Sequence, residues 1–154
     1  MIKEINKSIT LHVKRFDELS VEELYKLLRL RSAVFVVEQN CVYQDLDDDD
    51  QKALHLWITD AEDNIIAMAR VCAAGTHMEE VSIGRVLSVQ RRKGYGLMIV
   101  REAISAAIHY FHAATIDIEA QEYTRSLYEK LGFRQTSEMF MLDGIPHIKM
   151  TYRQ

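Results

Sequence analysis

Apolar and polar residues follow two rhythms along this chain, one with a period of two and one near 3.6, and their succession predicts the secondary structure. Residues 9–16 alternate as a first strand. Ser20-Val21-Glu22-Glu23 has the form of a capping box and opens a helix that places Leu24, Leu27, Leu28 and Arg31 on neighbouring turns. Residues 54–59 and 65–73 read as two strands of a hairpin, joined by the turn-rich Asp60-Ala61-Glu62-Asp63-Asn64. Residues 81–89 form a further strand. Leu97, Val100, Ile104, Ala107, Ile108 and Phe111 then recur every three or four residues, which predicts a main helix over 95–112. Alternation returns at 115–120, a short helix over 124–131 is ended by Gly132, and strands at 133–142 and 147–152 flank an Asp143-Gly144-Ile145-Pro146 turn. Many strands with a few helices imply an α/β domain with a mixed sheet. No repeat, low-complexity tract or Pro/Gly/Ser linker interrupts the chain, so residues 1–154 read as a single domain.

Between the strand at 81–89 and the main helix lies Arg91-Arg92-Lys93-Gly94-Tyr95-Gly96. Two glycines one residue apart let the backbone approach a ligand closely, and amide N–H groups converge there ahead of a helix whose positive end favours anions. Arg91, Arg92 and Lys93 add cationic side chains. The stretch reads as a phosphate-binding turn, with a plain basic loop as the alternative. A nucleoside-triphosphate loop requires Lys-Ser/Thr after its last glycine, whereas Gly96 is followed by Leu97-Met98. A dinucleotide fingerprint requires a third glycine that is absent here.

Composition narrows the picture further. With 154 residues the chain is long enough to bury roughly two thirds of its unfolded surface without metals or disulfides. Its longest apolar runs fall well short of the roughly 18 residues that span a bilayer, and the N-terminus lacks the apolar core of a signal peptide. A cytoplasmic location and no membrane partner are expected. The formal net charge of −4 argues against nucleic acid as a partner. Cys41 and Cys72 are too few and too far apart for a metal knuckle or redox pair and read as free thiols. Acidic charge gathers in Asp45-Leu46-Asp47-Asp48-Asp49-Asp50, either a solvated loop or a rim that attracts a cationic acceptor.

Several motifs together carry a family resemblance. Arg91 to Gly96 resembles the R/Q-x-x-G-x-G/A pyrophosphate loop of the GNAT superfamily, the acyl-CoA-dependent N-acyltransferases, and Tyr128-Glu129-Lys130-Leu131-Gly132-Phe133 is similar to that family's Tyr-x-x-x-Gly-Phe. The run from Arg29 to Cys41, Tyr43-Gln44-Asp45-Leu46-Asp47, Ile83-Gly84-Arg85-Val86, Ala120-Gln121 and Asp143 to Ile148 resemble the ElaA-like branch, so the likeness extends from about Leu24 to Met150. One departure is a connection between Val86 and the glycine turn that is shorter than is usual there. The resemblance implies a mixed, mostly antiparallel sheet flanked by helices and splayed between its fourth and fifth strands. It implies acetyl-CoA as acyl donor, a primary amine of a small molecule or peptide as acceptor attacking directly, and a homodimer as a common state. It also implies that Val86, Leu87 and Ser88 present backbone groups to the thioester, that Arg91, Arg92, Lys93, Gly94, Tyr95 and Gly96 hold the pyrophosphate, and that Tyr128 protonates the departing thiolate. A non-catalytic acyl-CoA-binding module is the alternative.

Amine acylation needs a base, because an alkyl ammonium is neutral only about one part in a thousand near pH 7.4, a barrier of roughly 4 kcal/mol. Glu38, after the apolar Phe35-Val36-Val37, is one candidate, with structural pairing to Arg31 the competing role. His147, following a turn into the last strand, is the other. Gln39, Asp47, His55 and Gln121 are candidates for the acceptor side, although a histidine flanked by apolar residues like His55 also suits a core. His109 and His112 lie three apart on the main helix, but two ligands alone make a poor site, so no metal is expected.

Overall fold

The computed structural model describes residues 1–90 and 93–154. One strand precedes those that alternation predicts: β1 (Ile2–Asn6) pairs antiparallel with β2 (Ile9–Arg15). It is an exposed edge strand, so no buried face imposes a pattern on its sequence. Ser20 then caps α1 (Val21–Arg31), its hydroxyl accepting from the Glu23 amide at 3.0 Å while the Glu23 carboxylate accepts from the Ser20 amide at 2.9 Å. The helix does not stop at Arg31 but widens into a π-helical segment, Ser32–Glu38. Such widened turns are uncommon and concentrate at functional sites.

β3 (Leu54–Thr59) and β4 (Ile65–Cys72) are the centre of the sheet, and nearly every residue on them is buried. Their two faces serve different layers. Leu56, Ile58, Ala67 and Ala69 belong to a core shared with Ile99, Val100, Ala103 and Ala107 of α2 (Tyr95–Phe111), while Trp57 and Met68 pack with Leu27 of α1 and Leu87. Helices therefore cover both faces, as the period-two alternation of strand side chains requires. Of the six-residue stripe that periodicity predicts on α2, Val100, Ile104 and Ala107 are buried, Ile108 and Phe111 pack partly against the core and Leu97 is half-buried, while the buried band extends to other residues. Ile99, Ala103 and Ala106 join it, and the alanines allow the helix to lie close on the sheet.

β5 (Val81–Ser88) follows, then β6 (Thr115–Gln121), α3 (Arg125–Lys130), β7 (Arg134–Gln135), β8 (Phe140–Leu142) and β9 (Ile145–Arg153). The sheet runs β1-β2-β3-β4-β5-β6-β9-β7, with β8 paired to β9. Neighbours are antiparallel except β5 and β6, which are parallel and pair only at Val81↔Ile116 and Ser82↔Asp117. Beyond that point they diverge. This is the expected splay, now between the fifth and sixth strands because β1 adds one to the count.

The strand expected over 133–142 is broken into β7 and β8. Between them the Thr136 amide donates to the Lys149 carbonyl at 2.8 Å, and the Ser137 hydroxyl accepts from the Lys149 amide at 2.8 Å. A side chain thus takes over one rung of the ladder and the backbone is released from it. The following turn is also tighter than expected. Asp143 (φ 51°) and Gly144 (φ 77°) are both left-handed, the two-residue hairpin geometry that Asp-Gly favours, and Ile145 and Pro146 already belong to β9.

Candidate active site

The divergence of β5 and β6 opens a cleft of about 580 Å³. Val86, Leu87 and Ser88 line it from β5, Gly96 from the start of α2, Tyr128 from α3 and His147 from β9. The expected backbone donors, the last glycine of the expected cofactor turn, the expected acid and one of the two base candidates therefore share one cavity. Gly94, in the left-handed conformation at φ 78°, caps the N-terminus of α2, where the Met98 amide bonds back to its carbonyl at 3.1 Å. A side chain there would be strained, while the first turn of a 17-residue helix keeps its unpaired amides for an anion. Lys93 is exposed and Tyr95 half-buried beside that turn. Arg91 and Arg92 lie outside the described residues.

β5 carries a bulge within the cleft wall. Arg70 of β4 faces Gly84 and Met68 faces Leu87, so Ala69 alone spans Arg85 and Val86. Arg85 takes a left-handed φ of 51°, which costs a residue with a Cβ roughly 1–2 kcal/mol. A bulge of this kind interrupts the ladder and re-aims the backbone, here at Val86 and Leu87.

Tyr128 is buried, with its ring edge-on to Phe133 at 5.7 Å between centroids. Burial pushes its phenol well above the ordinary tyrosine range, so the hydroxyl is protonated at neutral pH. His147 is also buried. Its Nδ1 donates to the Ile145 carbonyl at 2.7 Å, which leaves Nε2 as the acceptor nitrogen of the neutral ring. Gln121 stands opposite His147 in the β6–β9 register. Gln121 and Gln39 exchange two amide hydrogen bonds, at 3.2 and 3.3 Å, joining the end of β6 to the end of the π-helical segment across the cleft.

Other sequence candidates are placed differently. Glu38 is exposed at the end of the π-helical segment and outside the cleft lining, so it is not the half-buried carboxylate that Phe35-Val36-Val37 suggests. Nor does Arg31 turn to it. The Arg31 guanidinium is buried and contacts Asp45 at 3.0 Å and Asp50 at 2.7 Å. His55 is a core residue: its Nε2 donates to the Asp50 carbonyl at 2.8 Å, and burial lowers its pKa, with that bond partly opposing the shift. It does not line the cleft.

The acidic run is more than a solvated loop, because three of its aspartates are tied to arginines. Asp47 borders the cleft, but Arg70 holds it bidentately at 2.8 and 2.9 Å and Arg85 contacts it at 3.2 Å. Asp50 bridges Arg31 and Arg70, and Asp45 bridges Arg31 and Arg85. Three carboxylates thus neutralise three guanidiniums. Burial alone would raise the Asp47 carboxyl, but Arg70, then the Asp49 amide and then Arg85 outweigh it and hold the group well below the usual carboxylate range. Asp50 is lowered in the same way, burial opposing and Arg31 and Arg70 prevailing. No local pattern in the run of aspartates reveals this, because the arginines come from α1, β4 and β5.

Asp47, Asp49 and His77 also bring their ligand atoms within 4.8 Å of one another, a spacing a cation could use. Asp47 is already committed to Arg70, and His77 lies 2.9 Å from Asp49. Among the described residues, no helix is long and apolar enough to cross a membrane.

Residues 17–154 match the family described as acetyltransferase (GNAT) domain. A UPF0039 protein of Schizosaccharomyces pombe is 37% identical over 140 residues, covering 89% of this chain and 92% of the relative. Protein ElaA of Escherichia coli is 38% identical over 137 residues, covering 87% and 90%. Its crystal structure superposes with a TM-score of 0.86 at 34% identity, over 99% of this chain and 100% of ElaA. The crystal structure of an acyl-CoA N-acyltransferase from Pseudomonas aeruginosa superposes with a TM-score of 0.84 at 33% identity, over 92% and 98%.

Proposed function

Because the chain belongs to the GNAT acetyltransferase family, whose fold serves acyl transfer from acyl-CoA, we propose that it is a cytoplasmic N-acetyltransferase moving the acetyl group of acetyl-CoA to a primary amine of a small molecule or peptide. The observation that carries this reading is the single cleft between β5 and β6 that Val86 to Ser88, Gly96, Tyr128 and His147 all line.

In this account the pantetheine arm lies in the gap between the two strands, and the pyrophosphate meets the amides at the start of α2. The thioester carbonyl points at the bulged stretch of β5, whose backbone donors stabilise the developing oxyanion by roughly 3–4 kcal/mol each. The amine enters from the side of Gln39 and Gln121. His147 Nε2 takes its proton, since the neutral ring keeps its lone pair there. The amine nitrogen attacks the carbonyl carbon, the tetrahedral intermediate collapses with cleavage of the C–S bond, the departing thiolate takes a proton from the Tyr128 hydroxyl, and the tyrosinate recovers one from the still-protonated amide nitrogen, so that neutral amide and free thiol leave. The neutralised Asp/Arg cluster gives no electrostatic reason to restrict the acceptor to polyamines or other polycations, the class that the acidic run alone would suggest.

The test is incubation with acetyl-CoA and a panel of primary amines spanning amino sugars, amino acids, aryl-alkylamines, polyamines and lysine peptides, following free thiol and the acetylated product by mass. Amine-dependent thiol release is expected for at least one class. Acetyl-CoA binding without release to any amine would instead favour a non-catalytic acyl-CoA-binding module.

A further inference from the structure

Arg85 is an unusual residue at the wall of the cleft. It sits in the bulge of β5 with a left-handed φ of 51°, a conformation that glycine adopts more readily than arginine. Its side chain turns away from the sheet ladder into the acidic loop. There Nε faces Asp45 Oδ1 at 2.8 Å, and Nη2 donates to the Asp45 carbonyl at 2.8 Å and to Asp47 Oδ2 at 3.2 Å. The guanidinium also lies 5.7 Å from the centre of the Tyr43 ring, whose hydroxyl donates to Asp45 at 2.8 Å. Asp45 and Asp47 are themselves fixed by the buried Arg31 and Arg70. One residue after Arg85 begins the stretch Val86 to Ser88.

Resting on the acyltransfer reading above, we propose that Arg85 is a positioning residue. Its anchorage to Asp45 and Asp47 holds the bulge so that the β5 backbone donors stay aimed at the thioester carbonyl of acetyl-CoA. The acidic run, which sequence alone offers as a substrate rim, acts through Arg85 on catalytic geometry. Arg85 touches no reacting atom in this arrangement. It stores no function that a different cation in the cleft could replace, because its contacts depend on a fork that reaches two aspartates and a carbonyl at once.

The test uses acetyl-CoA labelled with ¹³C at the acetyl carbonyl and reads the carbonyl stretching frequency of the bound molecule by difference infrared spectroscopy. Donors aimed at the oxygen lower that frequency, so the unmodified protein is expected to shift it downwards. In Arg85→Ala and Arg85→Gly at least about half of that shift is expected to disappear, with acetyl-CoA affinity within about threefold of the original and kcat reduced roughly tenfold. Arg85→Gly guards against a simple folding defect, because glycine accepts the left-handed backbone that alanine strains. A merely structural role would lower the folded fraction but leave the frequency of the bound carbonyl unchanged. That result, a full shift retained in a folded Arg85→Gly protein, would overturn the inference while leaving the acyltransfer reading intact. Failure of the unmodified protein to bind acetyl-CoA would overturn the acyltransfer reading and the inference with it.

Discussion

Replacing Tyr128 with phenylalanine is expected to lower kcat roughly tenfold or more while acetyl-CoA affinity stays nearly unchanged. The substitution removes one hydroxyl and keeps the ring, whose edge-on contact with Phe133 and burial in α3 account for its packing. In the proposed function α2 and β5, not this hydroxyl, hold acetyl-CoA, so its binding is expected to be little affected. The departing thiolate, in contrast, loses a donor that burial keeps protonated well beyond neutral pH. Steady-state kinetics with any acceptor the amine panel yields, together with calorimetry of acetyl-CoA binding, separates the two effects. Equal turnover in Tyr128→Phe would remove this side chain from the mechanism and assign it to packing alone.

The second large effect concerns stability. Arg31→Met is expected to cost about 3–5 kcal/mol, because it leaves Asp45 and Asp50 with one fewer partner at a site where Arg31 is 1% exposed. For a domain of this length that corresponds to a fall in Tm of roughly 10 °C. Lys26→Ala, which breaks only the exposed pair with Glu22, should change stability by no more than about 0.5 kcal/mol. The pH dependence follows from the same cluster. Asp47 and Asp50 have folded pKa values below their unfolded ones, so the stability they contribute is fully present above the ordinary carboxylate range, near pH 4. It is lost as pH falls through the lowered folded values. In Arg31→Met the Asp50 carboxyl loses its principal cation, so acid unfolding should begin at higher pH than in the unmodified protein. Thermal melts of the three proteins between neutral and acidic pH measure this. Identical acid limbs would mean that the Arg31–Asp50 contact carries no linkage.

Local patterns exposed much of this architecture. The capping box at Ser20, the alternation of β3 and β6 and the 3.6 period of α2 each depend on neighbours a few residues away, and each element forms within a residue or two of its expected bounds. The glycine turn between strand and helix and the Tyr-to-Phe run in and after α3 were equally local, and both adjoin the cleft. What escaped depends on partners distant in sequence. Asp45, Asp47 and Asp50 read as solvent-facing because nothing in their own run announces Arg31, Arg70 and Arg85, which the fold brings to them from three separate elements. Glu38 stood out as a base candidate because apolar residues precede it, but the π-helical continuation of α1 carries it to an exposed end. His55 was flanked by apolar residues for the plainer reason that it is part of the core. The Gln39–Gln121 pair spans 82 positions and only the folded chain could reveal it.

Calorimetric titration of the purified protein with acetyl-CoA, run in parallel with ATP, tests the central claim most directly. The account predicts binding with a Kd in roughly the micromolar range for acetyl-CoA and no heat beyond dilution for ATP, because the cleft between β5 and β6 is read as a pantetheine channel leading from a pyrophosphate turn. Absence of acetyl-CoA binding, or ATP binding of equal strength, would contradict it.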